Sequence, residues 1–156
     1  MKYEGTIIAV NDMEVSKKFY TELFDQKIGM DFGLNVGFIG GLSLQQDYAG
    51  LAGIDPASVI KKSHNFELYF EVDDFDGFIK KLEKRQYIAY VHKTKLYPWQ
   101  QRVVRIYDPD KHIIEIGESM ASIVRRYLAE GKTVEETAQI IQHPTAFVQA
   151  VADGKI

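Results

Sequence analysis

The chain has 156 residues, 46% hydrophobic and 26% charged, which suits one ordinary soluble domain with a small appendage and a well-filled core. A net charge of −3 lacks the basic footprint of a nucleic-acid binder, and the absence of cysteine removes disulfides, thiol nucleophiles and cysteine-based zinc sites. No apolar run approaches the ~18 residues of a membrane span, and the first residues carry no apolar signal core, so the expected location is cytoplasmic, with no membrane and no nucleic acid as partner.

Taken in order, residues 6–10 are short and β-branched and predict a strand. Asn11 with Glu14 predicts a capping box for a helix whose apolar face is Val15, Phe19, Tyr20, Leu23 and Phe24. Three short strands follow at 27–32, 35–39 and 42–46, with Gly40-Gly41 as a tight turn between the last two. The pattern then recurs. Residues 65–72 predict a strand with Leu68, Phe70 and Val72 on one face. Asp73 with Asp76 predicts a second cap, and Phe75, Phe78, Ile79 and Leu82 a second helical face. An offset of 62 superposes Val10 on Val72, Asn11 on Asp73, Asp12 on Asp74 and Lys18 on Lys80, the mark of an internal repeat. A strand at 87–93 and a hairpin over 99–117 complete the second copy.

Beyond Gly117 three short helices are expected. The first spans 119–130, Thr133 with Glu136 caps the next, and Pro144 opens the last. They resemble a degenerate helix-turn-helix. However, Arg125, Arg126, Lys132 and Lys155 are cancelled by Glu130, Glu135, Glu136 and Asp153, and the helix after Pro144 has no basic side chain to read DNA. A packing arm or dimer clasp is the expectation.

The hairpin carries the chemistry. A strand over 103–107 runs into an Asp-Pro-Asp turn and returns over 113–117, with Glu115 bracketed by isoleucines. Taken alone, such a carboxylate reads as the solvent face of a half-buried sheet. The run Pro98, Trp99, Gln101, Arg102, Asp108, Pro109, Asp110, His112, Ile114, Glu115, Ile116 resembles the closing hairpin of the vicinal oxygen chelate superfamily, which includes glyoxalases, bleomycin-resistance proteins and extradiol dioxygenases. The chain departs from that pattern at Gln100 and Lys111, where glycine is usual; a positive φ at Lys111 would cost about 1 kcal/mol.

The resemblance implies an α+β fold: two paired βαβββ modules (1–54 and 64–118, together a 1–118 domain) forming a curved-sheet cup, plus the helical extension 119–156. It also implies a homodimer and, in many relatives, a divalent metal (Zn, Ni, Mn or Fe) held by one residue from the first and last strand of each module. Those slots project onto Gly5, Ser43, Glu67 and Glu115, with Gln45 on the face of Ser43 as a substitute. Two slots hold no competent ligand, so no cofactor is the expectation and a metal held by Glu67 and Glu115 the alternative. His64, His92, His112 and His143 show no ligand spacing.

With Leu68, Phe70 and Val72 turned to the helix, Glu67, Tyr69 and Glu71 point into the cup, joined by Glu115 and by Val103, Arg105 and Tyr107. Tyr97 and Trp99 are lid candidates, although Trp99 can equally be packing. An acidic aromatic cup suits a cationic or proton-donating small molecule. Glu67 and Glu115, if adjacent, should titrate in two steps unless Arg105 lies between them, and Glu115→Gln is expected to cause no large loss of stability. Three functions follow: metal-free sequestration of the bleomycin-resistance type; a metal-dependent glyoxalase-like lyase, isomerase or dioxygenase relative with Glu67 and Glu115 as ligands and general base; and ligand-responsive regulation through the C-terminal helices. No Ser-His-Asp order, P-loop or dinucleotide fingerprint supports other chemistry.

Overall fold

A computed structural model describes residues 1–156. The two expected modules are present. In the first, β1 (Thr6–Val10), α1 (Met13–Phe24), β2 (Ile28–Asp31), β3 (Asn35–Phe38) and β4 (Leu42–Gln46) form a four-stranded sheet of order β1-β4-β3-β2. β1 runs parallel to β4, with Ile7 opposite Ser43 and Ala9 opposite Gln45, and β3 is antiparallel to both β2 and β4. A short helix, α2 (Tyr48–Ala52), at the end of the first module and a 3₁₀ turn at Pro56–Ser58 in the linker were not foreseen. In the second module β5 (Glu67–Val72), α3 (Phe75–Glu83), β6 (Ala89–Leu96), β7 (Arg102–Tyr107) and β8 (Ile113–Glu118) repeat the arrangement as β5-β8-β7-β6. Three helices follow: α4 (Met120–Ala129), α5 (Val134–Ile141) and α6 (Thr145–Ala152). No helix is long and apolar enough to cross a membrane.

By packing, residues 1–66 and 107–113 form one compact unit, and residues 67–106 and 114–156 the other. The hairpin turn therefore belongs with the first unit. Its anchor is Asp108, which is 1% exposed and accepts the Tyr20 hydroxyl at 2.8 Å. In the second unit the helices bury Met120, Ile123, Val124, Ile141, Val148 and Val151 in a cluster of their own.

Both predicted helix caps move by one residue. Asp12, not Asn11, accepts the Val15 N–H, and Asp74, not Asp73, accepts the Gly77 N–H. The displaced residues bond other segments instead. Asn11 donates its backbone and side-chain N–H groups to Asp110. Asp73 accepts hydroxyls from Ser119 at 2.5 Å and Ser122 at 3.0 Å, tying the start of α4 to the end of β5. The Thr133–Glu136 capping box forms as expected. Gln100 and Lys111 adopt φ of +66° and +75°, the left-handed region in which the superfamily pattern has glycine.

Candidate functional site

The open face of the second sheet is organised by Arg105. On β5 the residues alternate, with Glu67, Tyr69 and Glu71 exposed and Leu68, Phe70 and Val72 turned inward. Arg105, on β7, donates from Nε and Nη2 to the two Glu67 oxygens at 2.8 and 3.3 Å, and its Nη2 also bonds Glu115 on β8. Nη1 reaches the Tyr97 hydroxyl at 2.6 Å and His92 Nε2 at 3.1 Å. A guanidinium has five N–H groups, and these partners use all of them. Burial works to lower the Arg105 pKa, but the hydrogen bonds of Glu67 and Tyr97 outweigh it and hold it above the ordinary value. Because Nε2 accepts from Arg105, His92 carries its proton on Nδ1, which donates to the Lys93 carbonyl at 2.7 Å.

Beside this group lies a hydrogen-bonded chain. Trp99 Nε1 donates to Gln101 Oε1 at 2.9 Å. Gln101 Nε2 donates to the Tyr69 hydroxyl at 2.9 Å, and that hydroxyl donates to Glu71 at 2.6 Å. Gln101 is 4% exposed, and its Nε2 also reaches the Glu118 carbonyl. A side chain at position 117 would bring a Cβ within 2.5 Å of that nitrogen, which accounts for Gly117. Partial burial and the bond to Glu71 push the Tyr69 phenol up to about 12.

Glu67, Glu115, Arg105, Tyr69 and Glu71 thus lie on one sheet, and the other assigned residues have different surroundings. Trp99 packs against the core of the C-terminal helices, its ring 4.7 Å from that of Tyr97. Tyr107 bonds His64 Nε2 at 2.8 Å and carries Lys62 over its ring, so it pins the linker. Val103 is 1% exposed. In the first module Ser43 lies opposite Ile7 and Gly37, while Gln45 is 5% exposed, accepting from Asn35 and donating to the Gln46 carbonyl.

His92 and Glu118 have roles that sequence reasoning missed, and Tyr97 and Gln101, a lid candidate and a motif residue by sequence, serve as partners of Arg105 and Tyr69. Glu118, 4% exposed, receives Arg102 and Arg126 and joins β7 to α4. The only signal was period two: Arg105 shares a strand face with Tyr107 and Val103, but which β6 residue meets it is set by sheet register.

The geometry tests the metal reading residue by residue. A Cβ at Gly5 would stand 1.9 Å from the Gly41 carbonyl oxygen, so that slot admits no side chain at all. Ser43 offers a single neutral hydroxyl. Glu67 and Glu115 already share a cation in the Arg105 guanidinium. No group of three or more His, Asp or Glu side chains is arranged to hold an ion. The donor set therefore does not fit a divalent metal.

Comparison with known proteins agrees with the fold. A crystal structure of a protein of unknown function from Agrobacterium tumefaciens strain C58 is 34% identical, with a TM-score of 0.67 over 77% of this chain and 95% of that one. A lactoylglutathione lyase from Agrobacterium tumefaciens (22% identity, TM-score 0.57, 74% of this chain and 91% of that one) shares the fold. So does a glyoxalase/bleomycin resistance protein/dioxygenase from Nocardioides (20%, 0.60, 76% and 83%). None of the curated proteins matches. Residues 3–121 match the family described as Glyoxalase-like domain, and the chain belongs to that family, within the vicinal oxygen chelate superfamily.

Proposed function

We propose that this protein is a metal-independent small-molecule binder, a sequestering protein of the bleomycin-resistance type, working as a homodimer. The observation that carries the reading is the Glu67–Arg105–Glu115 bridge. With Tyr97 and His92 on Nη1 it saturates the guanidinium, so an anionic ligand has no donor to recruit, and the face keeps two net negative charges from Glu67, Glu71 and Glu115 against Arg105. Glu115 Oε1 and Glu71 Oε2 remain as acceptors, and the Tyr69 ring, half exposed, lies next to Glu71. Carboxylates next to an aromatic face suit a cationic or hydrogen-bond-donating small molecule. A second copy of the chain is the proposed cover for the exposed apolar residues Met30, Phe32 and Ile39 of the first module.

Elemental analysis of protein purified without chelator, with calorimetric titration of Zn²⁺, Ni²⁺ and Mn²⁺, tests the reading. It expects no stoichiometric ion and no binding tighter than about 0.1 mM, the limit of the weakest oxygen-ligand sites. A stoichiometric ion lost in Glu115→Gln would replace it with the lyase or dioxygenase alternative. Sedimentation showing only monomer at micromolar concentration would remove the dimer.

A further inference from the structure

A cavity lies wholly within the first unit, on residues that the proposed function does not use. It measures about 220 Å³ and is walled by the end of β1, the start of α2, the linker and the hairpin turn. Its charged and polar side chains are Asp47, Lys61, Asp110, His112 and Asn11, the last already donating to Asp110; Val10, Tyr48, Pro56, Val59 and Ile60 supply much of the remaining surface.

Two of those groups are held in fixed states. Asp108, buried, accepts His112 Nδ1 at 2.8 Å, the His112 backbone N–H at 2.8 Å, the Asp110 backbone N–H at 2.9 Å and the Tyr20 hydroxyl. A carboxylate only accepts, so the proton of a neutral His112 sits on Nδ1 and the Nε2 lone pair is left without a protein partner. Asp110, 7% exposed, is oriented by Asn11 and weakly by Ser16 Oγ at 3.4 Å. Its only cation is Lys61, whose Nζ stands 3.9 Å from Oδ1, beyond hydrogen-bond reach, on a side chain 59% exposed. Asp47 occupies the N-cap position of α2 but makes no capping bond. The cavity therefore brings together an imidazole lone pair and two carboxylates against one loosely held ammonium. Such a set accepts hydrogen bonds and favours positive charge.

The geometry points to a second ligand site here, for a small primary ammonium compound with a compact apolar body. The ammonium takes the place Lys61 approaches, donating to Asp110 and His112 Nε2, and the body lies against Tyr48, Val59 and Ile60. At about 220 Å³ the cavity falls below the roughly 300 Å³ at which drug-sized pockets begin, which limits the ligand to a small one.

The test is ¹H–¹⁵N NMR titration of the full chain with butylammonium, and with 1-butanol as the neutral match. Saturable shifts at the amides of Asn11, Tyr48, Ile60 and His112 are expected with the ammonium alone. Two exposed substitutions should act in opposite directions, each by about twofold to fivefold, the worth of one solvent-screened charge. Lys61→Met removes the competing cation and tightens binding; Asp47→Asn removes an anion and weakens it. Absence of saturable shifts, an equal response to butanol, or binding unchanged or weakened in Lys61→Met overturns the site. None of these results bears on the second-sheet face.

Discussion

At the residue scale, Arg105 decides how the carboxylates behave. The sequence leads to no large loss of stability in Glu115→Gln unless Arg105 pairs with the glutamates. With Arg105 seated on both, the paired case applies: Glu115→Gln loses about 1 kcal/mol, the value of a charge-assisted bond reduced to a neutral one. Arg105→Ala loses more, about 2 kcal/mol, because it leaves two carboxylates facing each other. The loss stays below the roughly 3–5 kcal/mol of a fully buried pair, since Glu67 is 38% exposed. Urea denaturation of the two variants checks the order. The same Arg105→Ala protein should gain affinity for divalent ions, because the native cation has been removed. Tyr69 supplies a pH signature. Its folded pKa, about 12, lies above the ordinary value of 10, so its contribution is fully present below pH 10 and is lost as pH rises through about 12. The tyrosinate absorbance of wild type minus Tyr69→Phe should show that late-titrating component; a difference curve centred near 10 would contradict the partial burial and the Glu71 contact.

At the scale of elements, the first strand shows why the expected ligand set is incomplete. Thr6 N–H bonds the Gly41 carbonyl at 2.8 Å, which brings the chain just before β1 against the β3–β4 turn. Gly5 is required by that approach, and a histidine there cannot simply restore a metal slot. Gly5→His should lower the melting temperature by several degrees, an effect of more than about 1 kcal/mol, without creating ion binding. Differential scanning calorimetry with and without Zn²⁺ reads both. The displaced helix caps belong to this scale too. The doublets Asn11-Asp12 and Asp73-Asp74 each offer two capping side chains, and local propensity does not choose between them. The choice is made by what the first member reaches: Asp110 for Asn11, the serines at the start of α4 for Asp73.

At the scale of the molecule, the helical extension is built into the second unit. Ser119 caps α4 while donating to Asp73, Glu118 ties Arg102 to Arg126, and Trp99 packs on the helical cluster. Trp99 is the chain's single tryptophan, so its fluorescence reports on that junction alone. Its emission change and the loss of helical circular dichroism should follow one denaturation curve; an earlier fluorescence transition would mark an extension that melts by itself. The sequence by itself determined the repeat, the order of the elements apart from α2 and the 3₁₀ turn, and the family resemblance. These rest on local signals: apolar periodicity, turn residues and a motif of contiguous positions. It also placed Glu67, Tyr69, Glu71, Arg105 and Glu115 on one sheet, because period two is a local rule. Only the tertiary structure decided that Arg105 bridges the two glutamates, that Trp99 and Tyr107 hold the extension and the linker, and that Gly5 has no room for a ligand. Each of those depends on strand register or on the approach of segments far apart in sequence, and alternation along one strand says nothing about what lies opposite it.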